Sequence, residues 1–432
     1  MSKVSSLESH IPPTLMASVQ KSNDMVQSRA TALITATGGE SYSAGSTAEF
    51  KVQSGAPLLI KSVGITGNIK AEGAYNTANL RFQDGVRSCV SSINVMVANK
   101  QLVNLNADAQ LVPLVFQNSE YSYEDYDEAD QLCLGYQDEA VPLAGGTAKQ
   151  FYLPLREYGL DINKLLQTGN GRALTVKVQF ENDMKKVFWG AADGTNTATG
   201  FTISNLKLSV EYYTLYPAAQ KALMDGLLHQ SVDYYTYAYN VQNVTLPATT
   251  SVDVHFNTAY RDIAAVYFIP KLAVVANASG IPTLNPLDAN LKWNGAVATA
   301  TAGSIPDRLL CNFPGLNPAN INGTDGQSGV IDRNRSLQAV SKHSPSDRQS
   351  GYGWGQYVAA NTQTGVLAVN FLKTDTKSPE IMGGGANGYA ASSQLNLKLN
   401  LDAATVAGMQ LFAVSQFVRR LRVSANSVDA EE

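Results

Sequence analysis

Six carboxylates fall between positions 120 and 130: Glu120, Glu124, Asp125, Asp127, Glu128 and Asp130, interleaved with Tyr121, Tyr123 and Tyr126. A cluster this dense could bind calcium, which takes about six to eight oxygens converging on one point. The Asp-x-Asp-x-Asp-Gly spacing that folds a short loop around that ion is missing. The run therefore reads first as a solvated acidic loop, with a calcium or interface role as the alternative. Two carboxylates on separate strands could also serve a glycoside hydrolase built on a β-sandwich, but no spacing in the chain selects such a pair.

Other chemistry-bearing motifs fail on context. Gly383-Gly-Gly-Ala-Asn-Gly388 has the GxGxxG spacing of a dinucleotide loop, which needs a strand before it and a helix after it. Here an alternating strand pattern follows, so the segment reads as a glycine turn. Ser18-Val-Gln-Lys21 matches SxxK without the partner motifs of acyl-transfer enzymes. His10, His229, His255 and His343 form no HxH or HExxH pair, and no local Ser/His/Asp or Cys/His constellation can be assembled. Cys89, Cys133 and Cys311 are odd in number and far apart. That disfavours a disulfide framework or a zinc site and fits buried thiols in a reducing compartment. The expectation is a chain with no catalytic residues, no cofactor and no metal.

The elements that would carry any site are strands. From Ala48 onward, apolar residues recur with period two: Ala48–Phe50–Val52, Val63–Ile65, Ile93–Val95–Val97, Phe151–Leu153–Leu155, Leu174–Val176–Val178–Phe180 and Leu206–Leu208–Val210–Tyr212. The second half repeats the pattern at Val252–Val254–Phe256, Ala264–Val266–Phe268, Val366–Ala368–Asn370 and Leu395–Leu397–Leu399–Leu401. A strand with one face in a core produces this alternation. Turn signals such as Asp84-Gly85, Gly169-Asn-Gly171 and Asn322-Gly323 separate the runs. Many short strands with few helices predict an all-β chain of sandwiches or barrels.

Two segments depart from period two. Leu15, Val19, Ser22, Val26, Ala30 and Leu33 recur at helical spacing after Pro12 and Pro13, which predicts an amphipathic helix in an N-terminal arm over 1–40. At mid-chain, Pro217 stands at a first helical position before Ala218-Ala-Gln-Lys-Ala-Leu-Met224, with Gly226 placed to close a short helix. This helix predicts a boundary between a first unit over 41–216 and a second over 231–418, with 217–230 as linker and 419–432 as a C-terminal tail. Residues 117–147 and 276–360 read as long loops, unusual in a compact domain unless they make contacts.

Composition bounds the partners. The 432 residues suit two domains, and 16% charged residues lie well below the roughly 25% of an average soluble protein. An uncharged polar surface suits burial against neighbouring subunits, because few charges need desolvating. The net charge of −4 argues against a nucleic-acid-binding domain. Basic residues gather only at Arg333 and Arg335 and at Arg419, Arg420 and Arg422. No secretory signal is expected at the N-terminus, and no run of 18 apolar residues would span a bilayer. The sequons at Asn243, Asn277, Asn322 and Asn334 then read as chance matches.

At the mid-chain helix the sequence resembles a known family. Leu206-Lys-Leu-Ser-Val-Glu-Tyr-Tyr-Thr-Leu-Tyr-Pro217, the helix, and then Tyr234-Tyr-Thr-Tyr-Ala-Tyr-Asn-Val-Gln242 resemble the junction between the two rolls of double jelly-roll major capsid proteins. Val252-Asp-Val-His-Phe256 and Ile263-Ala-Ala-Val-Tyr-Phe-Ile269 look like the opening strands of a second roll. Phe151-Tyr-Leu-Pro-Leu155 and Arg172-Ala-Leu-Thr-Val-Lys-Val-Gln-Phe180 are similar to late strands of the first roll in tectivirus-like and adenovirus-like capsid proteins.

The resemblance implies two tandem eight-stranded jelly rolls that self-assemble as pseudo-hexagonal homotrimers, tiling an icosahedral shell over an internal lipid membrane. Partners would be other copies of the chain, penton and minor capsid proteins, and that membrane, without sequence-specific nucleic-acid binding. The protein would sit in the virion after synthesis in the host cytoplasm. Under the resemblance, Leu15, Val19 and Val26 would face membrane or shell interior, and Arg419, Arg420 and Arg422 would meet lipid headgroups or genome. The alternatives from the residues alone are a lectin-like tandem sandwich and a jelly-roll hydrolase.

Overall fold

The computed structural model describes residues 25–74, 81–82, 84–120, 131–134, 146–161, 165–169, 171–189, 197–247, 249, 251–257, 263–271, 308–312, 330–331, 367–370, 394–400, 410–424 and 427–431. Strands dominate them. The first half holds β1 (Val26–Thr35), β2 (Tyr42–Ser43), β3 (Thr47–Val52), β4 (Leu58–Ala74), β5 (Arg81–Phe82), β6 (Val90–Val97), β7 (Lys100–Leu105), β8 (Lys149–Pro154), β9 (Leu166–Thr168), β10 (Leu174–Phe180), β11 (Phe188–Trp189) and β12 (Thr197–Leu215). The second holds β13 (Val232–Thr245), β14 (Ser251–Asn257), β15 (Ile263–Lys271), β16 (Arg308–Asn312), β17 (Val330–Ile331), β18 (Leu367–Asn370), β19 (Gln394–Asn400), β20 (Gln410–Val423) and β21 (Val428–Glu431). Among the described residues they are joined by helices that include α1 (Leu111–Glu120), α2 (Met184–Val187) and α3 (Pro217–His229).

The long strands of the first half form two sheets with orders β1-β12-β4-β8 and β3-β10-β6-β7. The opening strand thus pairs with the closing one, and along these two orders every neighbouring pair except the β6–β7 hairpin skips along the chain. This antiparallel double Greek key is the jelly roll. The alternation predicted from sequence is the burial seen: β3 reads exposed–buried throughout, and Leu174, Val176, Val178 and Phe180 of β10 point inward. Phe180, Phe188 and Phe201 pack edge to face across this core, with centroids 6.3 Å and 6.5 Å apart for Phe180–Phe201 and Phe188–Phe201.

The same order returns after α3. The sheets run β13-β20-β15-β18-β17 and β14-β19-β16, so the opening strand β13 again lies beside the closing strand β20. Fourteen register pairs link Val232–Thr245 to Val423–Gln410. Pro217 occupies the first turn of α3, as the sequence predicts. The helix nevertheless continues through Gly226 to His229, and the Gly226 carbonyl accepts the Gln230 N–H at 2.9 Å.

Three expectations are corrected. Residues 26–35 are strand, not helix: Val26, Ala30 and Leu33 lie on β1, antiparallel to β12. Helical spacing arose there by coincidence: the inward residues Ala30, Ala32 and Ile34 do alternate but are small or only half-buried, and the exposed Leu33 blurs the period in the sequence. Residues 419–423 belong to β20 and 428–431 to β21, so they are sheet rather than tail. In β20, residues 411–419 are all buried, which erases the alternation that would have announced it. Gln117–Glu120 extend α1 rather than opening a loop.

Candidate assembly surfaces

Each jelly roll has one sheet whose outer side faces away from its own core, and the two rolls treat that side differently. In the second roll it is apolar. Tyr237, Tyr239, Tyr267, Phe412, Val414 and Val418 belong to one continuous buried cluster with the first roll's core residues. Ala238, Phe256, Phe268 and Phe417 are buried outside that cluster, on the roll's own inner side, where Phe256 and Phe268 lie 5.9 Å apart. The first roll supplies the cover: β7 and α1 lie against β13 and β20, and β21 also touches β7. Burying each of these aromatic or aliphatic side chains contributes roughly 1.5–3 kcal/mol.

Polar groups fix the register of this seam. Thr236 Oγ1 donates to Gly159 O at 2.8 Å and to Asp161 O at 3.1 Å. The Gln167 N–H donates to Tyr234 Oη at 3.3 Å. Burial pushes the Tyr234 hydroxyl up to about 12, against the opposing Gln167 hydrogen bond, so the group stays neutral. Arg172 donates Nη2 to the Ser424 carbonyl. Gly159 sits at φ +96°, and a Cβ there would lie 3.1 Å from Tyr237 O, so only glycine brings the chain this close.

The turn that presents Gly159 is anchored by a buried ion pair. Leu155–Tyr158 form a 3₁₀ turn, and Glu157 within it accepts from Arg87 Nε at 2.6 Å and Nη2 at 3.0 Å. Both side chains are fully buried, and Asp84 Oδ1 lies 3.3 Å from Arg87 Nη1. Tyr158 Oη donates to Arg87 O at 3.3 Å. The fork geometry uses Arg87 bidentately, the arrangement that best offsets the desolvation of both charges. Nothing in the linear sequence pairs Arg87 with a residue 70 positions away.

The residues singled out from sequence separate here. Arg419 is 3% exposed and donates Nη1 to Leu102 O at 2.6 Å, with its guanidinium 5.7 Å from the Phe417 ring centroid. It is a seam residue rather than a contact for lipid or genome, because no solvent-facing charge remains to offer. Arg420 and Arg422 both bind Asp233, at 2.5 Å and 3.0 Å, and tie the end of β20 to the start of β13. Burial would raise the Asp233 carboxyl, but hydrogen bonds from these two arginines hold it below its ordinary value. Val26 is half-buried on β1, opposite Leu215. Leu15, Val19, Arg333, Arg335 and the run from Glu124 to Asp130 lie outside the described residues, as do His10, His343 and Gly383–Gly388.

Cys89 and Cys133 are buried and outside any disulfide, and burial together with the nearby Glu181 carboxylate pushes the Cys89 thiol well above its ordinary value. His229 closes α3 and His255 lies exposed on β14. Among the described residues no group of three His, Cys, Asp or Glu side chains could hold a metal ion, and no helix is long and apolar enough to cross a membrane.

On the first roll, the equivalent outer side is polar and open. Glu211 on β12 gathers Arg29 from β1, which binds it directly, Lys61 Nζ at 3.4 Å and Ser62 Oγ at 3.1 Å from β4. Burial would raise the Glu211 carboxyl, but hydrogen bonds from Ser62 and Arg29 and the Lys61 charge hold it below its ordinary value. Tyr152 of β8 lies flat over Gly64, where a Cβ would come within 2.3 Å of its ring.

Two rolls with one strand order, fused through an apolar seam, make this a double jelly-roll protein. Solved structures agree on the fold. The PBCV-1 virus capsid model matches with TM-score 0.58 at 12% identity, over 93% of this chain and 96% of that one. PBCV-1 VP54, as fitted into a reconstruction of the virophage Sputnik, matches at 0.56 and 11% identity over the same shares. The Sputnik virophage structure matches at 0.50 and 12%, over 95% of this chain and 89% of that one. No family model matches the sequence, and no curated protein does.

Proposed function

We propose that this chain is a major capsid protein: a structural subunit that self-assembles as homotrimers and tiles an icosahedral virion shell. The observation that carries this reading is the tandem itself. One chain holds the same roll twice, locked by a buried seam, and the likeness to the PBCV-1 virus capsid runs across 93% of its length rather than one roll. Three copies of such a pair present six similar rolls, which suits hexagonal tiling with one gene product. Low charge content favours burial of the remaining surface against neighbours.

In the same reading, penton and minor capsid proteins complete the shell, and the segment around Leu15 and Val19 faces its interior or an internal membrane. Synthesis takes place in the host cytoplasm, where Cys89 and Cys133 stay reduced. The role is structural and requires no catalysis. None of the solved neighbours reported above favours the lectin-like or hydrolase alternatives.

Size-exclusion chromatography with light scattering, followed by negative-stain imaging, tests the proposal. The expected species is a trimer with a hexagonal outline. A monomer at every concentration would contradict it.

A further inference from the structure

Strand β20 runs on past the end of its neighbour β15. That neighbour pairs with Gln410–Phe417, which leaves the same edge of β20 to another partner beyond Phe417. The partner is the last strand of this chain. β21 lies antiparallel to Arg420–Val423, with Val428 opposite Val423, Asp429 opposite Arg422, Ala430 opposite Leu421 and Glu431 opposite Arg420. On their other edge the same four residues of β20 pair with Val232–Tyr235 of β13. β21 also touches β7 of the first roll. It therefore lies across both rolls at one end of their seam.

The hold on β21 is slight beside the rest of the seam. Val428 is buried in the cluster that the two rolls share, whereas Asp429 and Ala430 are exposed. Four register pairs join β21 to β20, against fourteen between β13 and β20. Serines close the turn that leads into it. The Ser424 N–H donates to Ser427 O at 2.9 Å, and the Ser427 N–H donates to Ser424 Oγ at 3.0 Å. The first roll holds the root of this turn through buried Arg172, which donates Nη2 to the Ser424 carbonyl. Releasing β21 forfeits one buried valine among its described side chains and a few backbone hydrogen bonds. Releasing β13 strips Tyr237 and Tyr239 of their cover. Elements held as lightly as β21 open at the low end of the free-energy range within a native protein.

We propose that β21 is a releasable strap: it closes on the docked rolls, stiffens the joint between them, and opens without unfolding either one. The device works within one chain and does not depend on assembly. Its contact with β7 and the burial of Val428 exist only once the rolls have met, so the strap closes on a seam already made. Charge fixes its register. Arg420 and Arg422 bind Asp233 on one edge of β20 and stand opposite Glu431 and Asp429 on the other. Opposite charges across neighbouring strands favour that alignment, and like charges oppose it. With the strap open, the backbone of Arg420–Val423 becomes a free sheet edge, the kind that templates pairing with other chains. With the strap closed, that edge is capped.

Native-state hydrogen exchange of the full chain, repeated at rising urea below the unfolding transition, tests the strap. Peptides covering β21 are expected to exchange at least about 100-fold faster than those from β13. Their rates should be nearly independent of urea, because opening the strap exposes little new surface. A second chain ending at Ser424 is expected to fold and to keep wild-type protection in β10. It should lose protection at least about 10-fold in β7 and in Val232–Tyr235, where the strap lay. If β21 exchanges at the rate of β13 and with the same urea dependence, the strand belongs to the global folding unit and the proposal fails. It fails equally if the shortened chain does not fold, or if β7 and Val232–Tyr235 keep their wild-type protection without β21.

Discussion

The two outer sheet faces differ in composition although their strands follow one order. On the second roll, Tyr237, Tyr239, Phe412 and Val418 are closed over by the first roll of the same chain. On the first roll, Leu33, Arg29 and Lys61 stand open, and Glu211 lies half-buried beneath the two cations. The difference teaches that topology does not fix what a face does; the side chains it carries decide whether it can stand in water or must be covered. An apolar face needs a permanent cover, since exposing several hundred Å² of it invites aggregation. A polar face can wait.

If that contrast is right, substitutions at the closed seam should cost folding and substitutions on the open face should cost association. The largest effect is expected at the anchor of the seam. Glu157→Gln takes the bidentate carboxylate from buried Arg87, leaving it the longer Asp84 contact, and should lower unfolding free energy by roughly 3–5 kcal/mol in a urea titration. Next come the seam contacts. Thr236→Val strands the Gly159 and Asp161 carbonyls, and Gly159→Ala forces a side chain into a left-handed turn beside Tyr237; each should cost about 1–3 kcal/mol by the same titration. On the open face, Leu33→Ala should change folding stability by no more than about 0.5 kcal/mol. Equal costs on the two faces would erase the distinction.

The smallest effect concerns acid. Glu211 and Asp233 have carboxyls held below their ordinary values of 4.5 and 3.8. Their contribution is complete above those values and is lost as pH falls through the lowered ones. Melting temperature should therefore be insensitive to these groups between neutrality and the ordinary carboxylate range, then fall on further acidification. Glu211→Gln should flatten part of that fall.

The sequence made the folded strands visible wherever one side met a core and the other met solvent. Alternation found β3, β8, β10 and β14 within a residue or two, and β6, β12 and β15 in part, with only Leu206–Tyr212 of β12 (Thr197–Leu215) showing it. It failed at the two extremes. β1 buries its inner side only partly, through Ala30, Ala32 and Ile34, and its outward Leu33 allowed a helical period to be read through Val26, Ala30 and Leu33. β20 is buried on both sides, so Leu411-Phe-Ala-Val-Ser-Gln-Phe-Val-Arg419 shows no period at all. These failures mark the open face and the closed seam themselves. The mid-chain helix was legible from Pro217 because that cue is local. The Arg87–Glu157 pair and the seating of Arg419 on Leu102 O depend on residues brought together across 70 and 317 positions, and no local rule reaches that far.

The most direct test of the central claim is amide hydrogen exchange, followed in peptides from β1 and β13 as the protein is taken from dilute and dissociated to concentrated and assembled. The account predicts that β13 is protected throughout, because its cover lies in the same chain, and that β1 gains protection only on assembly. Protection of β1 that is unchanged between the two states, or a gain confined to β13, would contradict it.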